Sequence, residues 1–175
     1  MAKICLKIYS PCSNIAKLLH IRRIANKISY FKCDCPASVR AVIRKDSLVL
    51  IEWFAPKSIS FLPGGALEAG EDLKIALCRE LAEELTDARF TVIKYLGRIG
   101  HTWRTSDGLA SCLSHFFETD LIEDPVVTAR EQGREIRWLD LNSSELGSLQ
   151  PPSLRNCLLQ GHSSGKEWNI LDSEP

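Results

Sequence analysis

Between Pro63 and Leu85 the chain sets a glycine-rich turn directly before a run of helix formers, and it places Glu68, Glu71, Glu80, Glu83 and Glu84 around Arg79. Ile59 to Leu62 reads as a short strand, which Pro63-Gly64-Gly65 ends in a turn whose backbone can approach a ligand closely. From Glu71 to Leu85 there is neither proline nor glycine, so one helix of about four turns is expected, with Glu71 and Asp72 in its first turn.

At roughly 100° per residue, Glu80, Glu83 and Glu84 share one sector of that helix and converge, while Ile75, Cys78, Leu81, Ala82 and Leu85 form an apolar sector elsewhere. Like charges at this spacing destabilise an isolated helix by roughly a few tenths of a kcal/mol per pair, a cost that a bound cation reverses. Hard divalent cations such as Mg²⁺ take oxygen ligands and hold diphosphates through one or two carboxylates. The segment suits that chemistry, although a bare Glu-x-x-Glu-Glu is ordinarily a solvated helix face.

The longer string decides between the two readings. Gly65, Glu71, Arg79, Glu80, Leu81, Glu83 and Glu84 fit, position by position, the signature G-x5-E-x7-R-E-U-x-E-E-x-G-U, with U apolar, so the segment resembles the Nudix hydrolases. Thr86 and Asp87 stand where that signature has a glycine and an aliphatic residue, which shifts the helix exit rather than the acids. The resemblance implies an α/β/α sandwich with a mixed β-sheet over roughly residues 38–160. It also implies Mg²⁺-dependent hydrolysis of a phosphoanhydride bond in a nucleoside diphosphate derivative, with Mn²⁺ as the alternative ion. Gly64, through its carbonyl, Glu80, Glu83 and Glu84 are then the expected metal ligands, and Arg79 the residue that orients its neighbouring glutamate.

Relatives place the catalytic base either in the helix, here at Glu80 or Glu83, or on a later loop. Glu131, in the glycine-bearing segment Thr128 to Gly133, is the later candidate, against its reading as a solvated loop acid. Beyond the helix, His101, Trp103 and Arg104 offer an aromatic plane and a cation to a base and a phosphate, with core packing as the competing role for Trp103. Trp138 reads as packing, and Glu68 and Glu71 as braces of the loop. A non-catalytic nucleotide-sensing module of the same fold is the alternative function. The intact acid set favours the enzyme, because a pure binder has no use for that much negative charge beside a phosphate.

The remaining sequence supplies the frame. Val39 to Arg44 and Leu48 to Trp53 read as a hairpin. Phe90 to Tyr95, Leu96 to Thr102, Leu109 to Glu118 and Glu135 to Asp140 read as strands, and Ser153 to Gln160 as a closing helix. With 175 residues, 45% of them hydrophobic, one domain is expected, flanked by a basic leader over residues 1–37 and a polar, frayed tail over residues 161–175. A balance of 22 basic and 22 acidic residues gives no strong nucleic-acid signal, and no apolar run is long enough to span a membrane. The cysteines lack the paired spacing of zinc knuckles and fit reduced thiols in a cytoplasmic protein. Organellar targeting by the leader and a homodimer both stay open, as does the identity of the small-molecule nucleotide.

Overall fold

The computed structural model describes residues 37–85, 88–122, 134–160 and 167–173. The basic leader, apart from Ala37, therefore lies outside the described residues, as do Thr86, Asp87 and Glu131.

Two sheets lie between two helices. The first has the order β1 (Ser38–Val42), β6 (Gly108–Leu121), β5 (Phe90–Thr105), β8 (Trp168–Ser173), with β1 and β8 parallel to their neighbours and β5 antiparallel to β6. The second is built on β3 (Leu48–Phe54), which pairs antiparallel with β7 (Arg134–Asp140), β2 (Arg44–Lys45) and β4 (Ile59–Phe61). Side-chain alternation feeds two separate cores. Val39, Ala41, Leu50, Phe117 and Ile136 pack on Ala76, Leu77 and Leu81 of helix α1 (Leu73–Glu84). Val42, Val49, Ile51, Phe116 and Leu139 pack on Leu154, Cys157 and Leu158 of helix α2 (Ser153–Gln160). Strands covered on both faces need apolar residues at nearly every position, which accounts for the unbroken run Leu48 to Ile51. The mixed-sheet α/β/α sandwich expected from the sequence is thus observed. Among the described residues no helix is long and apolar enough to cross a membrane.

Three local expectations are corrected. The hairpin shrinks to Arg44–Lys45 against Leu48–Val49, because β1 leaves it and pairs with Ser114 to Glu118 of β6. Ser38 to Val42 are largely buried, and a strand with both faces covered is better satisfied inside a sheet than in a two-stranded ribbon. Phe90 to Thr102 is not two strands but part of one, in which the expected break survives as a bulge at Gly97, a residue with φ 133°. Last, the segment expected as a polar tail contributes β8, whose Trp168 packs edge-on against Phe116 at 5.7 Å. Its Asp172 carboxylate also accepts from the Ser153 amide at 2.8 Å, at the start of α2. Trp168 and Ile170 supply the apolar area that the polar composition concealed.

Trp168→Ala should therefore lower the unfolding free energy by about 2–4 kcal/mol in a denaturant titration. A change within about 0.5 kcal/mol, as at an unpacked surface site, would contradict the docking of β8.

Candidate active site

The glycine loop is held in place by the free edge of β1. Val39 N donates to the Gly65 carbonyl at 2.9 Å, Ala41 N to the Pro63 carbonyl at 2.8 Å, and Leu67 N to the Ala37 carbonyl at 2.6 Å. So close an approach leaves no room for side chains. A Cβ on Gly64, whose φ is 128°, would stand 2.2 Å from the Val39 carbonyl oxygen, and a Cβ on Gly65 would meet the Glu80 carboxylate at 2.2 Å. Gly64 is required because its Cβ would meet fixed backbone at a left-handed φ, whereas a side chain on Gly65 would displace the Glu80 carboxylate from its place against the loop.

Helix α1 then brings its acids to the loop. Asp72, rather than standing in the first turn, caps the helix by accepting from Lys74 N at 2.9 Å and Ile75 N at 3.3 Å. The buried face carries Ala76, Leu77 and Leu81, whereas Ile75 is 64% exposed, so the helix is rotated by about a third of a turn from the expected apolar sector. This rotation has a cause. Glu80 and Glu84 lie on the same face as Leu77, and turning that face inward brings Glu84 to the Gly64 amide, which donates to it at 2.8 Å.

Arg79 ties these pieces together. Its guanidinium grips Glu71 with two bonds of 3.0 Å, donates to Glu80 at 2.8 Å and reaches the Ala66 carbonyl at 3.1 Å. The fork geometry of arginine suits such a bidentate clamp. Its hydrogen bonds hold the Glu71 carboxyl below the usual carboxylate range, and the same partners raise the arginine above its own. Glu83 does not join the convergence expected from the sequence: it stays 58% exposed, 3.7 Å from Arg79. Among the described residues no three His, Cys, Asp or Glu side chains close into a metal-holding group. Glu71, Glu80 and Glu84 are instead taken by local donors.

The chemistry of the set nonetheless fits a hard cation. Glu84 is half-buried, and burial, then the charge of Glu52, and more weakly that of Glu80, push its carboxyl up to about 7 against the opposing pull of the Gly64 amide and Arg40. Like charges crowded beside a main-chain carbonyl form an all-oxygen environment that a divalent ion neutralises. Glu52, on β3, is a participant that sequence reasoning missed. It is buried and receives a 2.7 Å bond from Arg134. An acid inside the apolar run Leu48 to Trp53 was the signal available.

Beside the loop opens a cavity of about 460 Å³ with no carboxylate among its lining residues. His101 and Trp103 form part of its wall, their rings 5.3 Å apart, as the sequence suggested. Arg104 does not, because the two-residue period of β5 turns it to the other face, where it is exposed. The cations of the cavity are Arg40, Lys57 and Arg134. Arg40 also donates to the carbonyls of Leu62, at 3.0 Å, and of Gly64, so one side chain joins the cavity to the glycine loop.

The Glu84 environment has a consequence for stability. A carboxyl raised in the folded chain binds its proton more tightly there than in the unfolded chain, so its contribution is greatest below about 4.5 and is lost as pH rises through about 7. In metal-free buffer, Glu84→Gln should match the wild type near pH 4.5 and exceed it by about 2–3 kcal/mol at pH 8. Urea unfolding of both proteins at the two pH values checks this, and a constant difference would contradict it.

Comparison with known proteins adds the family. A model of the NUDIX domain matches residues 36–157. Among solved structures, a NUDIX hydrolase from Nitrosomonas europaea aligns with a TM-score of 0.58 at 22% identity, covering 77% of this chain and 92% of that one. A MutT protein from Bacillus halodurans aligns at 0.56 and 14% identity, covering 77% and 86%. An ADP-ribose pyrophosphatase from Streptococcus suis aligns at 0.52 and 14% identity, covering 78% and 97%. At such identities these structures attest the fold alone. No curated protein matches the chain. With the NUDIX domain matched over more than half of its length, on a glycine loop and acid helix of the kind just described, the chain belongs to the Nudix hydrolase family.

Proposed function

We propose that this protein is a Mg²⁺-dependent pyrophosphohydrolase that cleaves a phosphoanhydride bond in a nucleoside diphosphate derivative. One observation carries the reading: Arg40 joins an acid-rich loop, suited to a metal and phosphates, to a carboxylate-free cavity walled by four aromatic rings and three cations, suited to a base and its ribose phosphate. The two halves match the two chemistries of a nucleotide. The neighbouring ADP-ribose pyrophosphatase and a UDP-X diphosphatase, similar at 17% identity, are compatible with this substrate class.

When bound, Mg²⁺, or Mn²⁺ in its place, supplies charge neutralisation for the diphosphate and a lowered pKa for water. The Gly64 carbonyl, Glu80 and Glu84 would hold it, with Glu83 free to join from its exposed position. Arg79 keeps Glu80 and Glu71 in register with the loop, and Arg134 holds the buried Glu52 side chain by a 2.7 Å hydrogen bond. His101 and Trp103 stack on the base, while Arg40 and Lys57 balance phosphate charge. A carboxylate takes the proton from the attacking water. Its candidates are Glu131, which lies outside the described residues, Glu80 and Glu83 on the helix, and Glu52.

A phosphate-release screen over nucleoside triphosphates, nucleotide sugars, ADP-ribose and dinucleoside polyphosphates should find Mg²⁺-dependent turnover. Glu84→Gln, which keeps the shape and removes the charge, should lower it by roughly a hundredfold or more. Wild-type turnover by that variant at limiting Mg²⁺ would overturn the assignment. If Glu131 is the base, Glu131→Gln lowers turnover by about 10²–10⁴-fold at saturating Mg²⁺ with unchanged metal dependence. Near-normal turnover there moves the base to the helix or to β3.

A further inference from the structure

The polar side chains of the cavity wall other than its cations and His101 include Ser38, Ser114 and Cys112, which bond to one another, and Gln150. Gln150 lines it, and the side-chain oxygen Oε1 is buried with no hydrogen-bond partner among the described residues. The backbone of the same residue is firmly held, its amide donating to the Ser60 carbonyl at 2.8 Å, so the side chain is anchored at its root and uncommitted at its tip. A buried acceptor left unpaired is a standing cost to the fold. The terminal torsion of a glutamine is broad, so its amide can turn to meet a donor that enters the cavity.

We propose that Gln150 is the residue that reads the base of the nucleotide, by accepting a hydrogen bond from an N–H on the edge of the heterocycle. This rests on the nucleotide reading of the cavity but not on hydrolysis. The surroundings favour a flat heterocycle over an aliphatic ligand: His101 and Trp103 offer ring surfaces, and Arg40 and Lys57 offer charge for the attached phosphate. Gln150 adds what neither rings nor cations provide, a directional acceptor within the cavity. A planar amide also sets a donor beside that acceptor, the complement of a base edge on which an N–H adjoins a ring nitrogen or a carbonyl. Stacking alone tolerates every base, and the Ser38 and Ser114 hydroxyls of the wall are bonded to each other at 2.8 Å, so Gln150 is assigned the discrimination among bases.

The test is equilibrium binding in metal-free buffer of AMP, CMP, GMP and UMP, with ribose 5-phosphate as the control that lacks a base. The wild type should hold at least one nucleotide about tenfold or more tighter than the control. Gln150→Leu should weaken that nucleotide by about ten- to a hundredfold and leave the control within about twofold. The same variant, free of ligand, should unfold at the same or a higher temperature, because it removes an unpaired buried acceptor, whereas a merely structural glutamine would give a lower one. Gln150→Glu, which only accepts, should shift the preference toward bases with an exocyclic amine. The proposal fails if Gln150→Leu binds every nucleotide as the wild type does, if it weakens the control equally, or if the wild type does not distinguish nucleotides from the control. Absence of turnover in the phosphate-release screen would instead count against hydrolysis and leave this binding result standing.

Discussion

Three backbone hydrogen bonds between β1 and the glycine loop are the interaction on which the rest of the site depends. An edge strand ordinarily exposes unpaired amides. Here the edge of β1 is used to hold an irregular segment at a fixed height above the sheet, and each consequence follows from that height. Gly64 must lack a side chain because the Val39 carbonyl lies beneath it, and its amide points at Glu84. A side chain on Gly65 would push the Glu80 carboxylate out of its place. The rotation of α1 is set by the same contacts, so that its apolar and acidic residues share an inward face. Arg79 and Arg40 then fasten the loop from opposite sides, the first through Ala66 and two glutamates, the second through Leu62 and Gly64.

That arrangement explains which parts of the structure were legible in the sequence. The loop and the helix could be read because they are local, fixed by spacing and by residue chemistry within about two dozen positions, and the pairing of Arg79 with Glu80 followed from the family resemblance of the same segment. The closing helix was legible for the same reason, and its expected span Ser153 to Gln160 is the observed one. What failed was non-local. Whether β1 pairs with β3 or β6 depends on burial of both its faces, which a single apolar run does not reveal. The face of α1 was misread because the periodicity of Ile75, Cys78, Leu81 and Ala82 ignores the loop that the acids must reach. Glu52 and Arg134 come from strands paired across the second sheet, so neither pointed to the other in the sequence. Arg104 was misplaced by one residue in a two-residue period.

The site also illustrates a tension between stability and function. Glu84 is held where burial and repulsion from Glu52 and Glu80 disfavour its charge, and Gln150 carries a buried acceptor without a partner among the described residues. Neither feature serves the fold. Under the proposed function, a cation would partner the acids of the loop and a heterocycle would partner Gln150, so the loop and the cavity beside it would hold the two ends of one ligand. Arg40, which touches both, is the physical link between them.

The central claim is that the loop and α1 form one cation site. Diffraction from crystals soaked in Mn²⁺, recorded for anomalous scattering, tests it most directly, because Mn²⁺ takes the same oxygen ligands as Mg²⁺ and its position can be seen without bias. The account predicts a peak bounded by the Gly64 carbonyl and the carboxylates of Glu80 and Glu84. A peak elsewhere, with Glu84 still bound to the Gly64 amide and Glu80 still bound to Arg79, would contradict it.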